Sequence, residues 1–211
     1  MSEVKLETTS QSEKMKQYYM FHSKIYDATR WTFLFDRKEL CKKLPYDRSD
    51  SFKLLEVGCG TGYIIYQLHE LYPEALLFGL DISSEMLKLA ENKNKKAGYK
   101  VKFLEQIYGD KSLGEQNFDV ILFSYSLSMI NPQWDRLLDQ AYEDLRPGGI
   151  LAVVDFHDSK ISSFKKWMGI NHVRMDGHLL NWLENRFDNP TIEVKNAYMG
   201  LWQYFTFIGE K

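Results

Sequence analysis

The stretch LLEVGCGTG, residues 54–62, constrains this chain more than any other. A short apolar run meets three glycines at alternate positions, Gly58, Gly60 and Gly62, and the helical pattern YIIYQLHEL follows at once. That order reads as a buried strand, a tight turn and a helix. Glycine at such a turn permits positive φ and lets a ligand come close to the backbone. The helix that begins near Thr61 presents unpaired amide groups to such a ligand. In doubly wound sheets the ligand lies beyond the carboxyl ends of the strands. Asp81 ends the next apolar run, ALLFGLDI, about twenty residues on, where an acid takes the hydroxyls of a ribose. A dinucleotide turn reads Gly-x-Gly-x-x-Gly, and here Tyr63 stands where its third glycine would allow close helix packing. A tight turn with no ligand is the plain alternative.

The alternation continues along the chain. VKFLEQ, FDVILFSYS and GGILAVVDFHD read as the third, fourth and fifth strands, the last after the turn RPGG. A helix follows Ser83, and another, PQWDRLLDQAYEDL, opens on a proline that suits a first helical turn. The closing stretch TIEVKNAYMGLWQYFTFIGEK holds two strand-like runs with no helix between them, which predicts an antiparallel hairpin at one sheet edge. The fold expected is therefore α/β, a doubly wound, mostly parallel seven-stranded sheet of Rossmann-like type. FKKWMGINHVRMDGHLLNWLENRF, ahead of the hairpin, reads as helical patches broken by Gly169 and Gly177.

Ahead of the first strand, residues 1–12 are polar and read as a flexible N-terminus, 13–45 as a helical lid ended by Pro45, and 46–211 as the main domain. The lid contains YDATRWTFLFDR, residues 26–37, in which aromatic rings alternate with charges. Such rings either dock a helix onto the sheet or wall off a site from water.

With 44% hydrophobic residues among 211, the chain can bury a core without metal or disulfide. Twenty-seven basic against 29 acidic side chains argue against electrostatic nucleic-acid binding. Cys41 and Cys59 form neither a disulfide framework nor a metal set, and the compartment expected is the reducing cytoplasm. No apolar run approaches the ~20 residues that span a bilayer. His157, Asp158, His172 and His178 match no ordinary metal spacing, so no metal is expected.

LLEVGCGTG, GLDIS, FDVILF and LRPGGILAVVD, in this order, resemble the successive motifs of class I S-adenosylmethionine-dependent methyltransferases. The resemblance implies S-adenosylmethionine as donor, with Glu56, Gly58 and Gly60 around its methionine end, Gly62 in the same turn, Asp81 on the ribose and Ile82 beside the adenine. Ser124 would line the methionine side. The family often places an acid after the third strand, and that place falls here near Gln106 and Ile107, with Asp110 three residues later; Gln106 is preferred. The nucleic-acid motif [ND]PP[YF] is replaced by FSYSLSMI, and no paired glutamates of a protein-arginine enzyme follow the fourth strand. A lipid head group or small molecule remains as acceptor.

YYMFHSKIYDATRWTFLFDR, FSYSLSMI, VDFHD and WMGINHVRMDGHLL further resemble the bacterial betaine-lipid N-methyltransferases, which methylate the amino group of diacylglyceryl-homoserine. This implies Tyr18, Tyr19, His22, Trp31, Tyr125, His172 and Arg174 as acceptor contacts, with His178 beside them, and Tyr26, Asp155 and His157 as catalytic residues; Asp158 is an alternative proton acceptor. Phosphatidylethanolamine, a soluble amine and a quinone-like ring are alternative acceptors, and a binding protein without turnover is a further reading. SSFKKWMGI sets Lys165 and Lys166 beside Phe164 and Trp167, which suits either a solvated helix end or peripheral contact with an anionic bilayer.

Overall fold

The computed structural model describes residues 33–109, 113, 117–131 and 133–211. Tyr18, Tyr19, His22, Tyr26, Trp31 and Asp110 lie outside the described residues. Seven strands form one sheet: β1 (Lys53–Val57), β2 (Leu76–Asp81), β3 (Val101–Glu105), β4 (Phe118–Ser124), β5 (Leu145–Phe156), β6 (Asp188–Ala197) and β7 (Trp202–Glu210). Their spatial order is β3-β2-β1-β4-β5-β7-β6. The five strands from β1 to β5 run parallel, and β7 lies antiparallel between β5 and β6. The predicted parallel sheet with a hairpin at its edge is thus observed. The strand order reverses between β1 and β4, the place where such sheets hold ligands.

Six helices flank the sheet among the described residues: α1 (Arg37–Lys42), α2 (Tyr63–Leu71), α3 (Ser84–Ala97), α4 (Trp134–Asp144), α5 (Ser162–Ile170) and α6 (His178–Arg186). Because side chains alternate along a strand, β1 feeds two cores. Leu54 faces α1 and α2, packed with Leu40, Cys41, Ile64, Ile65 and Leu68. Leu55 and Val57 face α4 and α6, packed with Leu137, Leu138, Ala141, Leu179 and Leu183. The Tyr72 hydroxyl donates to the Cys41 carbonyl at 2.8 Å, which ties α1 to the end of α2. At the far edge, β6 carries Pro190 and an exposed face, features that blunt an edge strand.

Local signals mostly place the elements where the residues demand. Ser83 caps α3 by accepting from the Met86 N–H, Glu85 occupies its first turn, and Gly98 ends it in the left-handed conformation. The helix expected to open at Pro132 is described from Trp134, with Gln133 as its cap, and Pro132 itself lies outside the described residues. Two expectations shift. RPGG is not a turn before the fifth strand but a bulge within it, since Phe118 pairs with Leu145 and Val120 with Ile150. Gly169 lies inside α5, and the break falls instead at His172, which takes φ 62°. There the His172 N–H donates to the Gly169 carbonyl and the Val173 N–H to the Met168 carbonyl, the paired bonds of a left-handed helix end.

The last residues of the aromatic stretch settle part of the question it poses. Phe33 stacks on Trp202 at 5.2 Å between ring centres, and Phe164 of α5 stacks on Trp202 at 5.4 Å. Phe35 stacks on Tyr204 at 5.6 Å. These rings dock the N-terminal arm to the hairpin and to α5. Trp202, almost fully buried, is the shared member. Trp202→Ala is expected to lower the unfolding free energy by about 3–5 kcal/mol, read from denaturant unfolding.

Candidate functional site

The glycine turn is woven to the end of β2. The Gly58 and Cys59 N–H groups both donate to the Leu80 carbonyl, at 2.8 and 3.0 Å. Asp81 then uses both carboxylate oxygens: Oδ2 accepts from the Gly60 N–H at 2.8 Å and Oδ1 from the Ser83 N–H at 2.9 Å. These two bonds orient Asp81. The Asp81 carbonyl accepts from the Gln106 N–H at 3.2 Å, which brings the end of β3 into the same network.

The glycines are required. Gly58 has φ 76°, and a Cβ there would lie 2.8 Å from the Ser126 Cβ. Ser126 is itself fixed by donating to the Val57 carbonyl at 3.0 Å. Gly62 also has φ 76°, and a Cβ there would lie 3.0 Å from the Ala90 Cβ of α3. Close helix packing, which the dinucleotide pattern assigns to a later glycine, is achieved here one residue earlier, and Tyr63 is left half exposed.

Around this turn lie three buried side-chain atoms that have no hydrogen-bond partner: Glu56 Oε2 on β1, Gln106 Nε2 after β3 and Ser124 Oγ at the end of β4. Buried polar groups are normally paired. Three unpaired ones, on β1, after β3 and at the end of β4, make this end of the sheet a candidate site for a polar ligand. Ile82 adds apolar surface beside them, packed against the core. All eight residues assigned to the donor by resemblance, Glu56, Gly58, Gly60, Gly62, Asp81, Ile82, Gln106 and Ser124, belong to β1, β2 and β4 or to the turns that follow the first three strands.

Burial drives the Glu56 pKa well above the carboxylate range, the Arg37 guanidinium pulls it back, and the Asp81 charge pushes it up further. Arg37 was not singled out by motif, because it precedes the first strand in a stretch that aromatic rings dominate. Its guanidinium lies 4.2 Å from the centre of the Tyr63 ring, at the start of α2.

The residues assigned to the acceptor and to proton transfer divide. Tyr125, in the left-handed conformation at φ 54°, is buried, and its hydroxyl donates to the Phe35 carbonyl at 3.1 Å. It anchors the N-terminal arm to the end of β4. Asp155 is fully buried; it accepts from the Ser128 N–H at 3.0 Å and from its neighbour's, Phe156, at 2.8 Å. Burial raises its pKa to about 6 against these bonds. Its geometry is that of a residue that positions the single helical turn Leu127–Met129.

His157 and the segment before α6 form a second cluster. His157 Nδ1 is buried without a partner, and the His157 carbonyl accepts from the Gly177 N–H at 2.9 Å. His178 Nδ1 bonds Asp176, its Nε2 is buried without a partner, and its ring meets Trp134 edge-on at 4.8 Å. Burial lowers the pKa of both histidines. Arg174 does not stand open for an acceptor carboxylate: its Nε donates to Asp176 at 2.7 Å. Asp176 was missed in the sequence, although its place two residues before His178 is a cue. His172 lies on the exposed end of α5, and Asp158 pairs with Lys165. A surface cleft of about 380 Å³ between α4 and α6, lined by Trp134, His178 and Trp182, shares no residue with the glycine turn.

A family profile described as "Methyltransferase domain" matches residues 48–197, from just before β1 to the end of β6. The chain belongs to this methyltransferase family. It is similar to a demethylmenaquinone methyltransferase of Listeria welshimeri, 29% identical over 168 residues that cover 75% of this chain and 69% of the relative. A trans-aconitate 2-methyltransferase of Deinococcus radiodurans is 33% identical over 118 residues, 56% of this chain and 41% of that one. In fold it matches a phosphoethanolamine N-methyltransferase of Haemonchus contortus solved with S-adenosyl-L-methionine, with TM-score 0.70, 17% identity and coverage of 83% of this chain. The chain spans about half of that protein, 52% of its length. The N-methyltransferase NodS of Bradyrhizobium japonicum, solved with S-adenosylhomocysteine, gives TM-score 0.67 at 17% identity and covers 83% of this chain and 85% of that one.

S-adenosylmethionine is the donor of this family, and the candidate site fits it: three glycines in positive φ, an acid oriented by backbone N–H groups, and buried polar atoms without partners. An ammonium is held best by an ionised Glu56. Burial disfavours the ionised form of Glu56, and that form gains ground as pH rises. Donor affinity is therefore expected to rise with pH, by roughly tenfold per unit on the acidic limb. Glu56→Gln should flatten this dependence, as measured by titrating S-adenosylhomocysteine across the acidic range.

Proposed function

We propose that this chain transfers methyl groups from S-adenosylmethionine to an amine, and that the amine is the homoserine amino group of a diacylglyceryl-homoserine lipid. The observation that carries the donor half is the set of unpaired buried atoms on Glu56, Gln106 and Ser124 around the turn held by Asp81. When bound, the donor supplies an electrophilic methyl on a sulfonium. What the protein must contribute is alignment and exclusion of water.

The N-terminal arm is the element placed to do that. Its described end is fixed at three points: Phe33 on Trp202, the Phe35 carbonyl on Tyr125, and Asp36 in an ion pair with Lys195 at 2.6 Å. The chain thus arrives at the mouth of the sheet from a docked position. In this reading Tyr18, Tyr19, His22, Tyr26 and Trp31 of the preceding segment contact the acceptor, and ring faces hold its cationic forms, at about 0.5–2 kcal/mol each.

The amine attacks only when neutral, and an α-amino group with a pKa of roughly 8 supplies that form near neutrality. His157 is the group that takes the proton, because burial keeps its imidazole neutral and Nδ1 is unpaired. Asp155, placed by sequence in the same role, acts in this account as a positioning residue for Leu127–Met129. In this reading Arg174 meets an acceptor carboxylate only by giving up its bond to Asp176.

A lipid acceptor requires contact with a bilayer, and α5 and the hairpin tip carry the surface for it. Trp167 is 49% exposed and Ile170 78% exposed, beside Lys165 and Lys166. Tyr198, 54% exposed, and the fully exposed Met199 form the adjacent tip, both held at positive φ. Trp167 and Tyr198 are joined through the rings of Phe164 and Trp202. Apolar rings flanked by lysines suit the interface of an anionic membrane. Among the described residues no helix is long and apolar enough to cross a membrane.

A second reading, methylation of a quinone-like ring, is favoured by one observation, the 29% identity with the Listeria demethylmenaquinone methyltransferase. Methyl-labelled S-adenosylmethionine, offered with diacylglyceryl-homoserine and phosphatidylethanolamine in mixed micelles and separately with soluble amines and quinols, distinguishes the two. Label in the homoserine lipid is the expected result. Label in phosphatidylethanolamine alone removes the carboxylate contact, and label in the quinol alone replaces the amine reading with the second one.

A further inference from the structure

The donor assigned to the glycine turn ends in an amino acid, and so carries an ammonium and a carboxylate side by side. Glu56 accounts for the first. The site's resemblance to other methyltransferases names no partner for the second, and the glycine turn itself holds no cationic side chain.

Arg37 stands at that place. It opens α1, immediately after Asp36 at φ 55°. The backbone leading into it is pinned from two sides, by the Tyr125 hydroxyl on the Phe35 carbonyl at 3.1 Å and by Lys195 on Asp36 at 2.6 Å. From there the guanidinium reaches over the Tyr63 ring, with its carbon 4.2 Å from the ring centre. Tyr63 directly follows Gly62, so the guanidinium lies over the entrance of α2, beside the turn that holds the donor. It is also the charge that most offsets the burial of Glu56. A negative and a positive group, one from β1 and one from α1, therefore converge beside the glycine turn. Stacking engages the face of a guanidinium, whereas a carboxylate is met edge-on by its in-plane donors, so both contacts coexist.

We propose that Arg37 is the carboxylate-binding residue of the donor site: with Glu56 it forms a two-charge receptor for the amino-acid end of S-adenosylmethionine, Glu56 taking the ammonium and Arg37 the carboxylate. This rests on the assignment of the turn to that donor and not on the identity of the acceptor. It makes the N-terminal arm part of the donor site, so that an arm wrongly docked weakens donor binding before any acceptor is present. The competing role is that of an internal counter-ion, in which Arg37 only neutralises Glu56 and the incoming ammonium displaces it.

Calorimetric dissociation constants separate the roles. Three thioether ligands are titrated into the full chain: S-adenosylhomocysteine with both charged groups, decarboxylated S-adenosylhomocysteine with the ammonium alone, and 5′-methylthioadenosine with neither. Arg37→Ala is expected to weaken S-adenosylhomocysteine by about 10–100-fold, the range for a lost charge-assisted contact. The other two ligands should bind wild type and variant within about twofold of each other. Arg37→Lys, which keeps the charge but not the fork, should recover part of the loss. Retained binding of 5′-methylthioadenosine shows that the variant is folded. Equal weakening of all three ligands would overturn the proposal, as would unchanged or tighter S-adenosylhomocysteine binding in Arg37→Ala, the mark of a counter-ion. Failure of wild type to bind any of the three would defeat the donor assignment itself.

Discussion

The carboxylate of Asp81 holds the site together. One of its oxygens fixes the Gly60 N–H and the other the Ser83 N–H, so a single side chain joins the turn after β1 to the start of α3. The turn cannot relax away from it, because Gly58 and Cys59 are tied to the Leu80 carbonyl and Gly58 is pressed against Ser126. A small error in the φ of any one glycine would move Asp81, and with it the ribose position. This is preorganisation by backbone bonds, and it explains why a ligand site can be built from side chains that are mostly apolar or absent.

The same economy governs the rest of the carboxyl face. Asp155 is spent on backbone N–H groups, so that the turn Leu127–Met129 keeps one shape. Tyr125 is spent on the Phe35 carbonyl, so that the arm enters at a fixed place and Arg37 arrives over Tyr63. Rigid parts thus surround the groups that must change partners. Among the buried atoms without a partner are Glu56 Oε2, Gln106 Nε2 and Ser124 Oγ at the carboxyl ends of the strands, and His157 Nδ1 and His178 Nε2 in the second cluster.

Much of this was legible in the residues. The strand–glycine–helix order and the acid at Asp81 depend on local chemistry, since positive φ and a buried turn leave few alternatives to glycine. The alternation of elements carried the sheet for the same reason. What could not be read were distances between side chains far apart in sequence. Arg174 looked available for an acceptor carboxylate because nothing in the chain announces that Asp176 captures it. Asp155 looked catalytic because its position at the end of a strand is shared by proton acceptors and by purely structural carboxylates; only its burial distinguishes them. His172 drew attention as a histidine, yet it occupies a left-handed helix end that glycine or asparagine more often fills. Arg37 was passed over because its partners, Glu56 and Tyr63, lie across the fold.

The central claim, that the turn held by Asp81 is the donor site, is tested most directly by following backbone amide resonances while S-adenosylhomocysteine is added. The largest shifts are expected on Gly58, Gly60, Gly62, Ile82, Ser83 and Gln106, with smaller ones at Arg37. Shifts confined to the cleft between α4 and α6, with the glycine amides unmoved, would contradict it.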